Sequence, residues 1–294
     1  TIVPLSEANH AGVRELLLKC WERDWNKELM ENYFAWRYGA RRNGETLVAC
    51  DRGKSIGVLD SFIRPYWITG RREPVRETCD WFCLPEYQGL GVGLHLMRRM
   101  MAKPEPIVLL GGSKMTLDLL PRLKWIRLSD AERYLLLVST KAAAARAATR
   151  LGQLGLSVAR MMPDLRLRFF RRMPPPSASM GMQRRVLGAP VEEVSKFVPH
   201  DFAPVLEASN LDWLATAPEV LGEFVLLSFT SSSGPVGISV SRVQNLRFGV
   251  EAQIVHVHTV RLELIEWVMS ETVQHLIDRG AVAVACDTSC PIAG

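Results

Sequence analysis

Long hydrophobic runs are missing from this sequence: no stretch approaches the ~20 apolar residues that a membrane-spanning helix needs. A secretory signal is missing too, because the opening stretch around Glu7, His10, Arg14 and Glu15 is polar and amphipathic. The sequence starts at Thr1 rather than a methionine, which leaves a targeting segment ahead of it open. Cysteine is too sparse for a disulfide framework. Cys20, Cys50, Cys79, Cys83, Cys286 and Cys290 fall mostly inside apolar runs, where a free thiol behaves as a small hydrophobe. This usage predicts a reducing, cytoplasmic setting. Cys79/Cys83 and Cys286/Cys290 share a spacing, but no histidine lies at ligand distance and the first pair falls on a predicted strand, so no metal is expected. Acidic residues are nearly absent from 141–186. There ten Lys and Arg face Asp164 alone, so this segment carries +9 in a chain whose total is +5.

What is present suits an ordinary globular chain: 294 residues, 48% hydrophobic and 23% charged, enough for two domains of about 150 residues each. Ser6 is placed to cap a helix reaching about Arg23, and a second helix is expected over Lys27–Tyr38. Strands are expected at Thr46–Asp51, Ser55–Ile63 and Val75–Leu84, the first two joined by the turn Asp51-Arg52-Gly53-Lys54. A helix from about Gly93 to Lys103 stops before Pro104. A short strand Ile107–Leu110, a helix near Met115–Leu123 and a strand Tyr134–Ser139 complete the first half.

The middle differs in kind. Ala142–Met162 has one apolar stripe at helical spacing, and Leu165–Met173 alternates apolar residues with arginine. Pro174-Pro175-Pro176-Ser177 marks a linker. Beyond it the pattern of the first half returns. Asn210–Trp213 resembles Asn32–Trp36, strands are expected at Phe224–Thr230, Val236–Arg242 and Ala252–Val260, and Gly237 stands where Gly57 does. A helix over Leu262–Asp278 and a strand Ala281–Cys286 follow. The shared order predicts two copies of one unit: domain 1–140, a basic connector 141–186, and an incomplete copy 187–294. The fold class is α/β (α+β), with mixed, mostly antiparallel sheets flanked by helices.

One loop concentrates the chemistry. Gln88-Gly89-Leu90-Gly91-Val92-Gly93 lies between a strand and a helix. Glycines let the backbone approach a phosphate, and the free amides of the first helical turn point at it with the helix dipole behind them. No Gly-Lys-Ser/Thr follows, which excludes a Walker loop. A dinucleotide fingerprint needs its third glycine one place later, and a turn that merely caps a helix is the plainer alternative.

Gln-x-x-Gly-x-Gly after a strand and the words Pro85-Glu86-Tyr87 resembles the coenzyme A loop of the GNAT N-acyltransferases. The two helices and three antiparallel strands before it resemble that family as well. The likeness covers about residues 1–140 well and 187–294 by layout alone. It implies acetyl-CoA or another acyl-CoA as cosubstrate, with the amides of Gln88, Gly89, Leu90, Gly91, Val92 and Gly93 on the pyrophosphate. It implies that Phe82, Cys83 and Leu84 pair with the pantetheine arm, and that Ser113 also meets the coenzyme. The strand carrying those residues would splay from Ile107–Leu110 to admit the thioester.

The sequence departs from the family where a tyrosine commonly protonates the leaving thiolate: Leu120 or Pro121 falls near that place. Glu77 and Asp80 are the best-placed carboxylates for a general base. Their odd separation predicts opposite faces of the sheet. Cys83 reads as a packed thiol rather than a nucleophile. The second half has Arg261-Leu262-Glu263-Leu264 where a loop glycine would stand, and His256 and His258 share one strand face.

The expected function is transfer of an acyl group to the primary amine of a small molecule or polysaccharide precursor by direct attack. A catalytically silent acyl-CoA sensor is the alternative. A transferase using aminoacyl-tRNA is disfavoured by the intact coenzyme loop, and nucleic acid is not the expected partner. For the basic segment 141–186 two readings stand: a linker helix with solvated arginines, or a surface for an anionic membrane on which Arg166, Arg168, Arg171 and Arg172 would act.

Overall fold

The computed structural model describes residues 1–21, 27–39, 43–128, 132–140, 143–144, 173–177, 181–185, 202–246 and 249–288. Apart from residues 143–144, the expected helix over Ala142–Met162 lies outside these residues, as do the arginines at 166–172 and Cys290. No helix among the described residues is long and apolar enough to cross a membrane.

The chain divides into two compact units. The first opens with β1 (Ile2–Pro4), α1 (Glu7–Trp21) and α2 (Lys27–Tyr38), followed by β2 (Gly44–Asp51), β3 (Lys54–Ile68) and β4 (Arg71–Cys83). Both hairpins turn on two residues of positive φ, Arg52-Gly53 and Thr69-Gly70. Such turns match the right-handed twist of the flanking strands and favour glycine in second place. Then come α3 (Val92–Met101), β5 (Ile107–Leu109) and α4 (Lys114–Leu119). The sheet runs β1-β2-β3-β4-β5. Its last pair is parallel, which requires a crossover, and α3 supplies it. The middle of the sheet is covered on both faces. Leu47, Val48 and Ala49 are buried in succession, with Leu16, Leu17 and Phe34 of the first two helices and Leu96, Met97 and Met100 of α3 in one core.

The second unit contains β6 (Glu132–Leu137), β7 (Gly181–Arg185), α5 (Ala208–Ala215), β9 (Glu223–Ser231), β10 (Gly234–Leu246), β11 (Gly249–Thr259), α6 (Ile265–Asp278) and β12 (Ala281–Thr288). The strand β8 (Phe202–Pro204) is paired in the first unit's sheet, not here. The second sheet runs β6-β12-β11-β10-β9-β7. From β7 to β12 it repeats the order and directions of β1 to β5: three antiparallel pairings, then a parallel pair joined by a helix. The equivalence reaches single residues. A Cβ on Gly57 would lie 3.2 Å from Leu96 and Val92 of α3, and one on Gly237 would lie 3.0 Å from Val268 of α6. In each unit a glycine lets the crossover helix come down on the sheet.

Two strands depart from the sequence-based assignment. Tyr134–Ser139 was expected to close the first half, but β6 pairs with β12 in the second sheet, Leu137 opposite Ala283. The uninterrupted part of the first unit therefore ends at Ile126 rather than at 140. Conversely, β8 pairs with β3, Tyr66 opposite Pro204 and Ile68 opposite Phe202. Sheet edges explain both. The residues of β12 are buried at Ala281, Ala283, Val284 and Ala285, and an unpaired edge beside them would be a liability. Strand β2 reaches β3 only as far as Phe62, so the edge beyond it is open to β8.

A fragment of residues 1–140 should therefore be less stable than the first unit in the intact chain. Losing β8 removes a few ladder hydrogen bonds at about 0.5–1.5 kcal/mol each. Amide exchange at Tyr66–Ile68 should become fast in the fragment and stay slow in the full chain. Equal protection in both would contradict the assignment of β8.

Candidate functional site

The Gln88–Gly93 loop leaves β4 through a single turn, Pro85–Tyr87, and enters α3. Gly91 is the N-cap of α3 with φ 81°, and Gly89 has φ 83°. No side chain caps the helix, so its first amides have no intrahelical acceptor and point out of the N-terminus. A Cβ at Gly89 would meet nothing within 4 Å, and one at Gly91 would come no closer than 3.8 Å to the His95 ring. Gly93 differs. A Cβ there would stand 3.1 Å from Trp81 Nε1, and the Trp81 indole donates to the Gly93 carbonyl at 3.1 Å. Gly91 thus keeps the approach to the loop open, while Gly93 lets α3 pack on β4. Gln88 Nε2 donates to the Cys83 carbonyl at 3.2 Å and ties the loop to the strand.

Beside the loop the sheet opens. Strand β4 pairs with β5 over Arg76–Thr78 and no further, although β4 continues to Cys83. Their divergence forms a cleft of about 1390 Å³. Glu77, Asp80, Phe82, Cys83, Gln88, Gly89, Gly91, Val92, Gly93 and Ser113 all line it. Two residues assigned to the coenzyme from the sequence do not. Leu84 is 3% exposed and belongs to the core, and Leu90 is 69% exposed and points outward.

Asp80 has φ 47°, uncommon for any residue but glycine and best tolerated by Asp and Asn. The register slips there, from Asp60 opposite Cys79 to Val58 opposite Phe82, so two residues of β4 face one of β3. This bulge corrects the alternation argument. Glu77 and Cys79 share a face by register, and the bulge turns the Asp80 carboxylate to that same side, within 4.8 Å of ligand atoms on Cys79 and Asp60. Both carboxylates therefore reach the cleft.

The three groups could be mistaken for a cation site. Arg37 occupies that role instead: its Nη2 lies 2.9 Å from Cys79 Sγ and 3.5 Å from Asp80. Burial acts to lower the Arg37 charge's stability, but Cys79 and Asp80 outweigh it and hold the guanidinium above its ordinary value. Tyr38 donates to Asp80 at 2.7 Å. Burial, reinforced by Asp80, pushes its phenol well up, so it stays a donor. Behind them Asp60, 1% exposed, accepts from Thr46 at 2.6 Å and from the Cys79 thiol at 3.2 Å.

Glu77 is held differently. It is 5% exposed and accepts from Arg64 and from the Tyr66 hydroxyl. Burial pushes the Tyr66 phenol upward; Arg64 opposes this and Glu77 adds to it. Each carboxylate accepts from two donors, but the Asp80 side chain is 14% exposed against 7% for Glu77. Burial, with a contribution from Glu86, raises the Cys83 thiol, which makes it a poor nucleophile. Ser113 caps α4, accepting from the Thr116 amide at 3.2 Å. Leu120 and Pro121, near the place of the absent tyrosine, form a turn of 3-10 helix.

Arg37, Tyr38, Arg64 and Tyr66 were not legible as site residues. Their partners are 11 to 43 positions away, and no local pattern marks them. A hint was available for the bulge alone, since aspartate is a residue that accepts positive φ. In the second unit His256 and His258 do share a face, their rings 6.3 Å apart and nearly parallel. The turn Leu262–Leu264 stands where the first unit has its glycine loop.

Residues 10–105 match the Acetyltransferase (GNAT) family. Comparison with curated proteins gives no significant match. Among solved structures, a GCN5-related N-acetyltransferase from Anabaena variabilis ATCC 29413 superposes with TM-score 0.62 at 13% identity, covering 100% of this chain and 66% of that one. A second, from Kribbella flavida, gives TM-score 0.54 at 14% identity over 99% of this chain and 64% of that one. The N-myristoyltransferase of Saccharomyces cerevisiae, with bound myristoyl-CoA, gives 0.54 at 7% identity over 98% and 76%. The chain thus spans just under two thirds of the two GCN5-related proteins. Residues 10–105 form a GNAT-family domain, and the chain as a whole takes the fold of GCN5-related N-acetyltransferases.

Proposed function

We propose that the chain transfers an acyl group from acetyl-CoA or another acyl-CoA to a primary amine, by direct attack of the amine on the thioester. The observation that carries this is the meeting of two features: the uncapped N-terminus of α3 behind Gly91, and the gap where β4 leaves β5. The first suits a pyrophosphate. The second leaves β4 beyond Thr78 without a strand partner on its β5 side, where an extended amide-bearing arm can hydrogen-bond. Open space at Gly89 and Gly91 meets the steric demand of such a ligand.

Within this reading Asp80 is the group that takes a proton from the attacking ammonium. It lines the cleft, and Tyr38 and Arg37 fix its orientation. Direct attack is favoured over an acyl-enzyme because the Cys83 thiol is raised. Positioning of the two substrates supplies most of the acceleration. The acceptor class is a small-molecule or polysaccharide-precursor amine. A second reading, a silent acyl-CoA sensor, is favoured by one observation: Leu120-Pro121 offers no acid to the leaving thiolate. Calorimetry with acetyl-CoA, paired with thiol release across an amine panel, separates them. Binding with turnover supports the transferase, and binding without turnover on any amine supports the sensor.

Gly91→Val should weaken acetyl-CoA binding at least roughly tenfold, since the side chain enters the approach to the amides. It should also lower the melting temperature by a few degrees, because φ 81° costs a β-branched residue about 1–2 kcal/mol. Leu262→Val in the second unit should leave acetyl-CoA affinity unchanged. Wild-type affinity in Gly91→Val would show that the ligand binds elsewhere.

Asp80→Asn should cost roughly 100-fold in turnover at neutral pH with acetyl-CoA affinity kept. Part of the rate should return as pH rises and more of the amine is unprotonated. Glu77→Gln should instead lower stability by about 3 kcal/mol, because it leaves Arg64 without its charged partner, and lower turnover only about tenfold by loosening the wall of the cleft. A pH–rate profile and thermal melts on both variants check the division. Full activity in Asp80→Asn would assign the proton to another group.

A further inference from the structure

The donors that hold Glu77 in the cleft wall both sit on the far stretch of β3. Phe62 lies opposite Glu77, and Arg64 and Tyr66 follow at the next two positions on that face. The Arg64 guanidinium lies 5.9 Å from the Phe62 ring centroid and 5.4 Å from that of Tyr66. This stretch begins where β2 stops, since the last β2 pairing is Gly44 with Phe62. A two-stranded ribbon alone is marginal in water. Among the described residues, β8 is the strand that takes up the vacated edge, at Tyr66, Trp67 and Ile68. Val205 donates its amide to the Pro65 carbonyl at 2.9 Å. Alternation along an antiparallel pair then makes Ala203 and Trp67 the next hydrogen-bonded pair. Tyr66 lies between these two rungs and is 2% exposed.

We infer that β8 is a positioning strap for the cleft. By fixing the backbone on either side of Tyr66, it sets the hydroxyl and, through the same strand, the Arg64 guanidinium that hold the Glu77 carboxylate. A segment more than a hundred residues further along the chain thereby controls the Glu77 wall of the cleft. The Gln88–Gly93 loop, carried on the other end of β4, is independent of it. Tyr66 and Ala203 are positioning residues, and the inference rests on the transferase reading for its catalytic consequence.

The test uses the full chain with Tyr66→Phe, Ala203→Pro and their double variant. Acetyl-CoA is the probe for binding, and thiol release with any amine the wild type turns over is the probe for rate. Each of Tyr66→Phe and Ala203→Pro should lower kcat roughly tenfold with the acetyl-CoA Kd within about twofold. Because both act through one hydroxyl, the double variant should be no slower than the slower single. Effects that multiply, or full turnover in Tyr66→Phe, would overturn the strap. Hydrogen exchange provides an arm that needs no turnover. Ala203→Pro should speed exchange at Tyr66–Ile68 and across the hairpin at Glu73 and Arg71, which lie opposite Tyr66 and Ile68, and unchanged exchange at Glu73 and Arg71 would overturn the inference even if no amine is found. A wild type that binds no acetyl-CoA would instead count against the transferase reading, leaving the exchange result to decide the strap.

Discussion

Strand β4 cannot keep both neighbours along its whole length, and the first unit is organised around the place where it gives one up. Its parallel pairing with β5 lasts three residues. Past Thr78 the strand stays paired to β3, but a bulge at Asp80 breaks the register. A residue at φ 47° costs backbone energy that packing elsewhere must offset. Here α2 does so from one side, through Tyr38 and Arg37, and α3 from the other, through Trp81 on Gly93. The gap, the carboxylate on its wall and the seating of α3 all meet at that one irregularity.

The wall of the cleft is costly to build. Asp60, Asp80 and Glu77 on one side of β3–β4 are largely removed from water, and so are Arg37 and Arg64. Buried charges are tolerated when each is paired and its hydrogen-bonding capacity is filled. Arg37 answers Asp80 and Cys79, Arg64 answers Glu77, and Thr46 and Cys79 each donate to Asp60. The two carboxylates are consequently unequal. Glu77 is held by two donors from β3 and Asp80 by two from α2, and Asp80 keeps the more exposed side chain.

The second unit shows what the same frame becomes without the loop. Its strand order, its parallel last pair and its helix-packing glycine match the first unit's. Its crossover helix nevertheless follows a turn of Leu262–Leu264, with no glycine to let a ligand reach the backbone. The two units also exchange strands along the sequence: β6 is used in the second sheet and β8 in the first. Neither unit is therefore a continuous run of sequence.

The sequence by itself determined whatever depends on neighbours in the chain. Helix α2 falls at Lys27–Tyr38 as expected, and β2 to β5 differ from expectation mainly at their ends, because period, turn residues and caps are local. The glycine loop was legible because its conformation is a short-range pattern: glycines at positive φ, then a helix. The match of Gly237 with Gly57 was legible because one packing constraint acts in both units. Tertiary structure alone decided the rest. Regular alternation put Glu77 and Asp80 on opposite faces, and one extra residue in β4 reversed that. Edge strands choose partners by which edge is exposed, not by distance along the chain, so β6 and β8 could not be assigned from sequence. Arg37, Tyr38, Arg64 and Tyr66 became site residues because folding brings a helix and a hairpin end against one strand, and no period in the sequence encodes that meeting.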